Sequence, residues 1–363
     1  MTILSLIIPV YNEEKSLEKI IERTFELKEQ LNNIELELII VDDCSSDNSY
    51  EIAKSLASDN IKVYRHNKNQ GKGAALKTGF LEATGDFIGI QDADMEYNPL
   101  DYIKLLKPLL EDKADVCYGS RYLKRQERRV LYFWHTFMNK GLTYLTNMYS
   151  NLDITDMETC YKLFKKDVIK NIAPKLKENR FGFEPEVTMY VAQGKYRVYE
   201  CAISYNPRTY EEGKKINAKD GLRALYCIMH YGGQDAPIPM QFLIYLFIGG
   251  LSAIVNIILF LFLMKFKISL LYSVWIAFII SALVNYLLCI ALLFKHKARF
   301  STFGEIIAYI ITLAIMGSLD YYFTSLLLLL HFNNFYSKAF SSLIGVIGNF
   351  LFRKYFVFAK KKK

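Results

Sequence analysis

The chain has 363 residues, 52% of them hydrophobic and 15% aromatic, and a formal net charge of +8. That length allows two or three domains, and the basic excess suits an anionic membrane surface at least as well as a nucleic acid; no RNA- or DNA-binding signature accompanies it, so nucleic acid is set aside as a partner. Six cysteines (Cys44, Cys117, Cys160, Cys201, Cys227, Cys289) have no C-x-x-C spacing, which argues against a zinc site and a disulfide framework and for reduced, mostly buried thiols.

Apolar residues are unevenly spread. Residues 1–235 carry regular charges and read as globular, whereas residues 240–358 are mostly Leu, Ile, Phe, Ala and Tyr. Met1 to Pro9 has no basic region and is too short for a signal peptide, so the first half is expected to begin and stay in the cytoplasm.

Ile3 to Val10 is an apolar run of strand length, followed by Tyr11-Asn12-Glu13-Glu14. Residues 15–31 place Leu17, Ile20, Ile21, Phe25, Leu27 and Leu31 at helical spacing. Leu36 to Val41 predicts a second strand ending in Asp42-Asp43-Cys44-Ser45-Ser46-Asp47, then a helix over residues 48–58. Ile61 to Tyr64 is a third strand, Asn69-Gln70-Gly71-Lys72-Gly73 a loop, Ala74 to Ala83 a helix, and Phe87 to Ile90 a fourth strand. Alternating strands and helices predict an α/β fold, a doubly wound and mostly parallel sheet, in which ligands bind beyond the carboxyl ends of the strands. Polar groups stand at those ends: Glu13, then Asp42 and Asp43, then Asp92 and Asp94.

Phe87-Ile88-Gly89-Ile90 runs straight into Gln91-Asp92-Ala93-Asp94-Met95-Glu96. Asp92 and Asp94 are two apart, and a turn brings Glu96 beside them; carboxylates this close repel unless a cation sits among them, and hard oxygen ligands suit Mg²⁺ or Mn²⁺ bridging to substrate phosphates. Asp-x-Asp alone reads equally as a solvated acidic turn after a buried strand. The Gly71-Lys72-Gly73 loop can approach a phosphate through backbone N–H groups, or simply be a flexible turn before a helix. It matches neither a P-loop nor a dinucleotide fingerprint, which removes ATPase and dehydrogenase readings.

Ile8-Pro9-Val10-Tyr11-Asn12-Glu13, Val41-Asp42-Asp43-Cys44-Ser45-Ser46-Asp47, Asn69-Gln70-Gly71-Lys72-Gly73 and Gln91-Asp92-Ala93-Asp94, in that order, resemble the motifs of family 2 glycosyltransferases with the GT-A fold. Gly119-Ser120-Arg121-Tyr122 and Gly182-Phe183-Glu184-Pro185-Glu186 are similar to the branch that holds dolichol-phosphate mannose synthase and bacterial polyprenyl-phosphate sugar transferases. Cys44 departs from the pattern, where a Gly is usual. The resemblance implies that Pro9, Tyr11, Glu13, Asp42, Lys72 and Asp92 hold the nucleotide, with the first four on base and ribose. It implies that Asp92, Asp94 and Glu96 hold the metal; a Gln stands at the Glu96 position in some relatives, which leaves open whether Glu96 ligates directly or through water.

Arg121, Arg125, Arg128 and Arg129 follow a fifth strand, Val116 to Tyr118. A solvated basic loop is the default for most of them, and the resemblance singles out Arg121 and Arg129 for the acceptor phosphate, which guanidinium matches by bidentate hydrogen bonds. Residues 130–149 and Gly221 to Tyr231 are amphipathic stretches with aromatics, a pattern that suits core packing as well as a membrane interface; two of them beside an apolar half favour interfacial helices. His135 and His230 within them receive no catalytic role. Relatives with hydroxyl acceptors use a carboxylate base near Asp156 and Glu158. A phosphate monoester has a second pKa of about 6 and is already nucleophilic, so these two are expected to shape the acceptor pocket more than to move a proton. Residues 206–215 read as a mobile basic loop; the resemblance has it closing over the donor, with Arg208 and Lys214 or Lys215 on the diphosphate.

Residues 240–264, 268–294, 306–330 and 335–353 are each long enough to span ~30 Å of hydrocarbon. Four spans put both termini on one side. Lys295-His296-Lys297-Ala298-Arg299 and the lysine tail 360–363 place that side in the cytoplasm, with Lys265 and Lys267 a minor conflict. Phe247 to Leu251, Asn285-Tyr286 and Asn349 to Phe358 resemble the GtrA-like membrane family, and the two asparagines suggest a two-helix repeat. The membrane half is either a plain anchor or an aid in moving lipid-linked sugar. Asp320 within a span is a candidate functional residue unless it lies near an end and snorkels.

The expected organisation is therefore a catalytic domain over residues 1–217, an interfacial helix and linker over 218–235, and a four-helix membrane domain over 236–363. The expected reaction is inverting transfer of a hexose from a UDP- or GDP-sugar to polyprenyl phosphate, with Mg²⁺ or Mn²⁺ and with Asp92, Asp94 and Arg208 as catalytic groups. Two alternatives stay open: a hydroxyl acceptor, and a lipid-linked sugar translocator with an inactive transferase domain. The oligomeric state, including a homo-oligomer, is open as well.

Overall fold

The computed structural model describes residues 2–31, 33–123, 129–130, 132–208, 218–294, 302–332, 340, 344 and 347–357. The chain divides into two compact units, Met1–Asp235 and Ala236–Lys363.

In the first unit β1 (Thr2–Val10), α1 (Leu17–Gln30), β2 (Ile34–Asp42), α2 (Ser49–Ser55), β3 (Ile61–Arg65), α3 (Lys72–Glu82) and β4 (Phe87–Ile90) alternate as the apolar runs predict. They continue into α4 (Tyr102–Leu110), β5 (Val116–Ser120), α5 (Phe133–Ser150), β6 (Lys162–Lys165), α6 (Lys166–Ile172), α7 (Phe183–Gln193), β7 (Val198–Ala202) and α8 (Ala218–Gly232). The seven strands lie in the order β3-β2-β1-β4-β6-β5-β7. All neighbouring pairs are parallel except the two that involve β6. The mostly parallel doubly wound sheet is thus present, with β6 reversed.

β1 and β2 are buried on both faces, which is why they read as continuous Leu/Ile/Val runs rather than alternating ones. β4 pairs with β1 from Leu4↔Phe87 to Ile7↔Ile90, so Asp92 and Asp94 emerge beside the end of β1. Gly89 permits this packing: a Cβ there would meet the Tyr102 ring at 2.7 Å, and the Tyr102 hydroxyl donates to the Ile90 carbonyl at 2.5 Å.

The second unit contains α9 (Ile238–Lys265), α10 (Leu270–Leu288) continuing through a wider helical turn over Cys289–Phe294, and α11 (Thr302–Leu329). Large apolar side chains on α9, such as Phe247, Ile258 and Leu261, are about 60% exposed, as a helix facing lipid would have them. Among the described residues Ile238–Leu263 is long and apolar enough to cross a membrane, and Ile279–Leu293 is a shorter apolar helix. α9 and α10 are tied by polar side chains: the Asn285 amide donates to Ser252 Oγ at 3.1 Å, Asn256 to Ser281 Oγ at 3.1 Å, and the buried Arg353 donates to Asn285 Oδ1 at 2.7 Å. Most of the expected fourth span, the basic loop 295–299 and the lysine tail lie outside the described residues, as does the Asp320 side chain.

Candidate active site

The loops after β1 and β2 are laced together. Asn12 takes a left-handed φ of 54°, its N–H donates to Ser45 Oγ at 3.0 Å, and its side chain accepts from the Ser46 N–H at 2.8 Å. The Glu13 N–H donates to Ser49 Oγ at 2.8 Å. Cys44 also lies in the left-handed region, φ 62°, which explains why a glycine is usual there: a side chain at that φ is strained. Asp42 is fully buried and faces Arg65 Nε at 3.2 Å, while Tyr11 stands 40% exposed above the same edge.

Asp43 has a structural task that the sequence did not reveal. Its carboxylate accepts from His66 Nδ1 at 2.7 Å and from the N–H groups of Gln70 (2.9 and 3.1 Å) and Gly71 (2.6 Å). It thereby fixes the turn in which Gly71 adopts φ 102°, a conformation that requires glycine. Lys72 opens α3 from that turn. Its ammonium lies 2.7 Å from Asp92 Oδ1, 2.8 Å from Cys160 Sγ and 3.9 Å from Glu184 Oε1. Burial opposes its charge, but Asp92, Cys160 and Glu184 overcome that and hold it well above the ordinary lysine range.

The turn after β4 is met by a cation from a distant segment. Arg208 donates to Glu13 (3.1 and 3.3 Å) and to Asp94 Oδ2 (2.7 Å), and its backbone N–H donates to Glu96 Oε1 at 2.7 Å. Tyr205 donates its hydroxyl to Glu96 Oε2 at 2.9 Å. Asp92, Asp94, Glu96, Glu13, Lys72 and Arg208 therefore meet at one edge of the sheet. Burial, then the charges of Asp92 and Glu96, push the Asp94 carboxyl up to about 7, with Arg208 working the other way.

Among the described residues no three His, Cys, Asp or Glu side chains converge as a metal-ligand group. Each Glu96 oxygen accepts one hydrogen bond, from the Tyr205 hydroxyl and the Arg208 N–H, which leaves a lone pair on each. The hard oxygens of Asp92 and Asp94, the latter raised by burial and by its acidic neighbours, fit a divalent cation that shares its remaining positions with phosphate oxygens.

A second acidic cluster lies toward β5 and β6. Arg121 grips the fully buried Asp156 by a fork, Nε to Oδ2 at 2.7 Å and Nη2 to Oδ1 at 2.8 Å, and lies over the Tyr205 ring at 5.0 Å. Burial and the neighbouring Glu184 push Glu158 up to about 8. The buried Lys162 donates to the Met157 carbonyl at 2.9 Å and to the Thr159 carbonyl. Arg129 is exposed ahead of α5, apart from any ion pair described; Arg125, Arg128, Lys214 and Lys215 lie outside the described residues.

The doubly wound sheet thus carries carboxylates and two cations together at the ends of β1, β2 and β4. The model of the family described as Glycosyl transferase family 2 matches residues 5–173, and that of the GtrA/DPMS transmembrane domain matches residues 244–358. The chain joins a family 2 glycosyltransferase domain to a GtrA/DPMS-type membrane domain. It is 30% identical over 237 residues to a dolichol-phosphate mannosyltransferase of Pyrococcus furiosus, covering 63% of this chain and 64% of the relative. It is 32% identical over 216 residues to the dolichyl-phosphate beta-glucosyltransferase ALG5D of Trichomonas vaginalis, covering 56% and 65%. A UDP-N-acetylglucosamine–dolichyl-phosphate N-acetylglucosaminyltransferase of Methanococcus voltae is 27% identical over 241 residues, covering 62% and 94%. The chain thus spans just under two thirds of the length of the first two relatives.

Proposed function

We propose that this protein is a membrane-bound, metal-dependent transferase that moves a hexose from a UDP- or GDP-sugar to polyprenyl phosphate with inversion. The three relatives differ in the sugar their names carry and share a dolichyl phosphate, so the lipid phosphate is the part of the reaction most directly supported. The observation that carries the reading is the state of the second acidic cluster. A hydroxyl acceptor needs an ionised carboxylate base; Asp156 is locked in a fork with Arg121, and burial pushes the Glu158 carboxyl up to about 8, toward its protonated form at neutral pH. A phosphate acceptor needs neither.

In this reading Pro9, Tyr11, Glu13 and Asp42 hold base and ribose. Lys72 and Arg208 face the diphosphate and offset the charge that develops on the leaving nucleotide. Arg208 would exchange Glu13 and Asp94 for phosphate oxygens when the donor enters. Mg²⁺ or Mn²⁺ held by Asp92 and Asp94, with Glu96 directly or through water, would supply further positive charge against that diphosphate. Arg121, whose second Nη is not used by Asp156 in the bonds described, and Arg129 orient the lipid phosphate for attack on the anomeric carbon.

The same reading gives the membrane half four spans with both termini cytoplasmic. α5 and α8 lie in the bilayer interface: Tyr132, Phe133, Trp134 and Phe137 are 58–72% exposed, as is Leu222 at 68%, and residues 233–237 lead from α8 directly into the apolar α9. The test is Asp94→Ala in purified membranes. Loss of lipid-linked sugar at normal expression is expected; full retained transfer would refute the metal role.

A further inference from the structure

The Lys72 turn has a floor. The backbone of residues 178–180 lies so close beneath it that a Cβ on Gly71 or Gly73 would collide with the Asn179 and Glu178 carbonyl oxygens, and the Ala74 N–H donates to the Asn179 carbonyl at 3.1 Å. That strap is held from two directions. The buried Glu186 of α7 accepts from the N–H groups of Lys177 (2.9 and 3.1 Å) and Glu178 (2.8 Å). The Glu178 side chain, 6% exposed, reaches instead to α8: Arg223 forks onto it through Nε at 2.8 Å and Nη2 at 2.7 Å, and Tyr231 donates its hydroxyl at 3.0 Å. Gly182 lets α8 close on the strap, because a Cβ there would press against Glu178 Oε2 and Cys227 Sγ.

α8 faces two ways. Ala224, Cys227, Ile228 and Tyr231 are buried, while Leu222 is 68% and Tyr226 41% exposed. A continuous set of contacts therefore runs from the exposed face of α8 through Arg223, Glu178 and the 178–180 backbone to Lys72, whose ammonium stands 2.7 Å from Asp92. We propose that Arg223 and Glu178 are positioning residues that couple seating of α8 in the bilayer to the placement of Lys72, so that membrane engagement tightens the nucleoside diphosphate site. The proposal rests on the donor and interfacial-helix readings above. The physical basis is that an ion pair with fork geometry fixes orientation as well as distance, and that a displacement of the order of 1 Å at a positioning group is enough to cost about 100-fold in rate.

The test measures the Kd of UDP and of GDP, with MnCl₂ present, for the full chain in lipid nanodiscs and in detergent micelles. For the unaltered chain the better nucleotide should bind about 5-fold or more tightly in discs, the lower end of ordinary site-to-site coupling. Arg223→Ala and Glu178→Gln should each abolish the disc-to-micelle ratio, and the double variant should be no worse than either, since both break one link. Arg223→Lys should restore only part of it, because an ammonium lacks the fork. Leu222→Ser, which leaves the ion pair intact, should lower disc affinity to the micelle value without changing the latter. A merely structural ion pair would weaken binding equally in both environments and lower the thermal midpoint in parallel, and that result would overturn the proposal. So would a disc-to-micelle ratio of one in the unaltered chain, or a ratio preserved in the variants. If neither nucleotide binds in either environment, the functional reading fails and takes this inference with it; binding without dependence on the bilayer defeats the inference alone.

Discussion

The first unit holds two acidic clusters only a few residues' reach apart, and they are neutralised in opposite ways. Asp92, Asp94 and Glu96 receive their cations from segments remote in the chain, Lys72 at the start of α3 and Arg208 beyond β7. Asp156 is met by a buried fork and Glu158 by a proton, while Glu184 lies 3.9 Å from Lys72, which the two clusters share. The difference lies in exchangeability. Arg208 is 26% exposed and divides itself among three carboxylates, so phosphate or a divalent ion can replace any of those bonds. Arg121 is 9% exposed and commits a complete fork to one fully buried partner. The bonds of the first cluster can be displaced, and the fork of the second fixes Arg121 in one orientation.

That contrast can be broken by substitution. Asp92→Ala and Asp94→Ala should each lower transfer by at least about 100-fold, the scale on which charge-stabilising groups act; activity within tenfold of the parent would make the two clusters equivalent. Asp156→Asn should act on stability instead. It leaves Arg121 buried with half its partner, a change that costs about 3–5 kcal/mol, read as a lowered thermal midpoint in detergent. Glu158→Gln should leave kcat within about threefold, because a side chain that already holds its proton is replaced by one that cannot lose it. A loss of about 100-fold would restore the carboxylate base and with it a hydroxyl acceptor.

A pH series sharpens the same comparison. Burial, then acidic neighbours, push Asp94 up to about 7 and Glu158 up to about 8, above the range of about 4 of an unfolded carboxylate. The native state therefore keeps these protons longer than the unfolded state, and stability falls as pH rises from about 4 through about 7 and 8. Asp94→Asn should remove part of that slope and raise the metal-free thermal midpoint at pH 8 by about 2–4 °C, whereas added Mn²⁺ should flatten the slope in the parent and not in the variant. The smallest effect belongs to Cys44. Glycine at φ 62° relieves left-handed strain at some entropic cost, and Cys44→Gly should stabilise by about 0.5–1 kcal/mol with unchanged activity.

Much of this architecture was legible in the residue order for simple physical reasons. Strands buried on both faces are continuous apolar runs, so β1, β2 and β4 and the carboxylates at their ends could be placed directly. β6 and β7 could not. Lys162-Leu163-Phe164-Lys165 is only four residues long and begins with a lysine whose buried ammonium is satisfied by carbonyls of its own loop. Val198–Ala202 mixes an exposed Tyr199 with Glu200, which accepts the Thr155 N–H at 2.8 Å. The fork between Arg121 and Asp156 joins positions 35 apart, and that between Arg208 and Glu13 joins positions 195 apart. Neither spacing carries a periodicity from which contact follows. Asp43 was visible as a polar residue at a strand end, yet its grip on Gln70 and Gly71 is a property of the folded turn.

The most direct measurement is transfer itself: membranes carrying the protein, incubated with radiolabelled UDP-glucose, UDP-N-acetylglucosamine or GDP-mannose plus polyprenyl phosphate, with and without EDTA, and then extracted with organic solvent. One of these donors should deliver label to an acid-labile lipid in the organic phase, and EDTA should abolish it. Label that appears only in water-soluble glycan, or lipid product that forms unchanged in EDTA, would contradict the account.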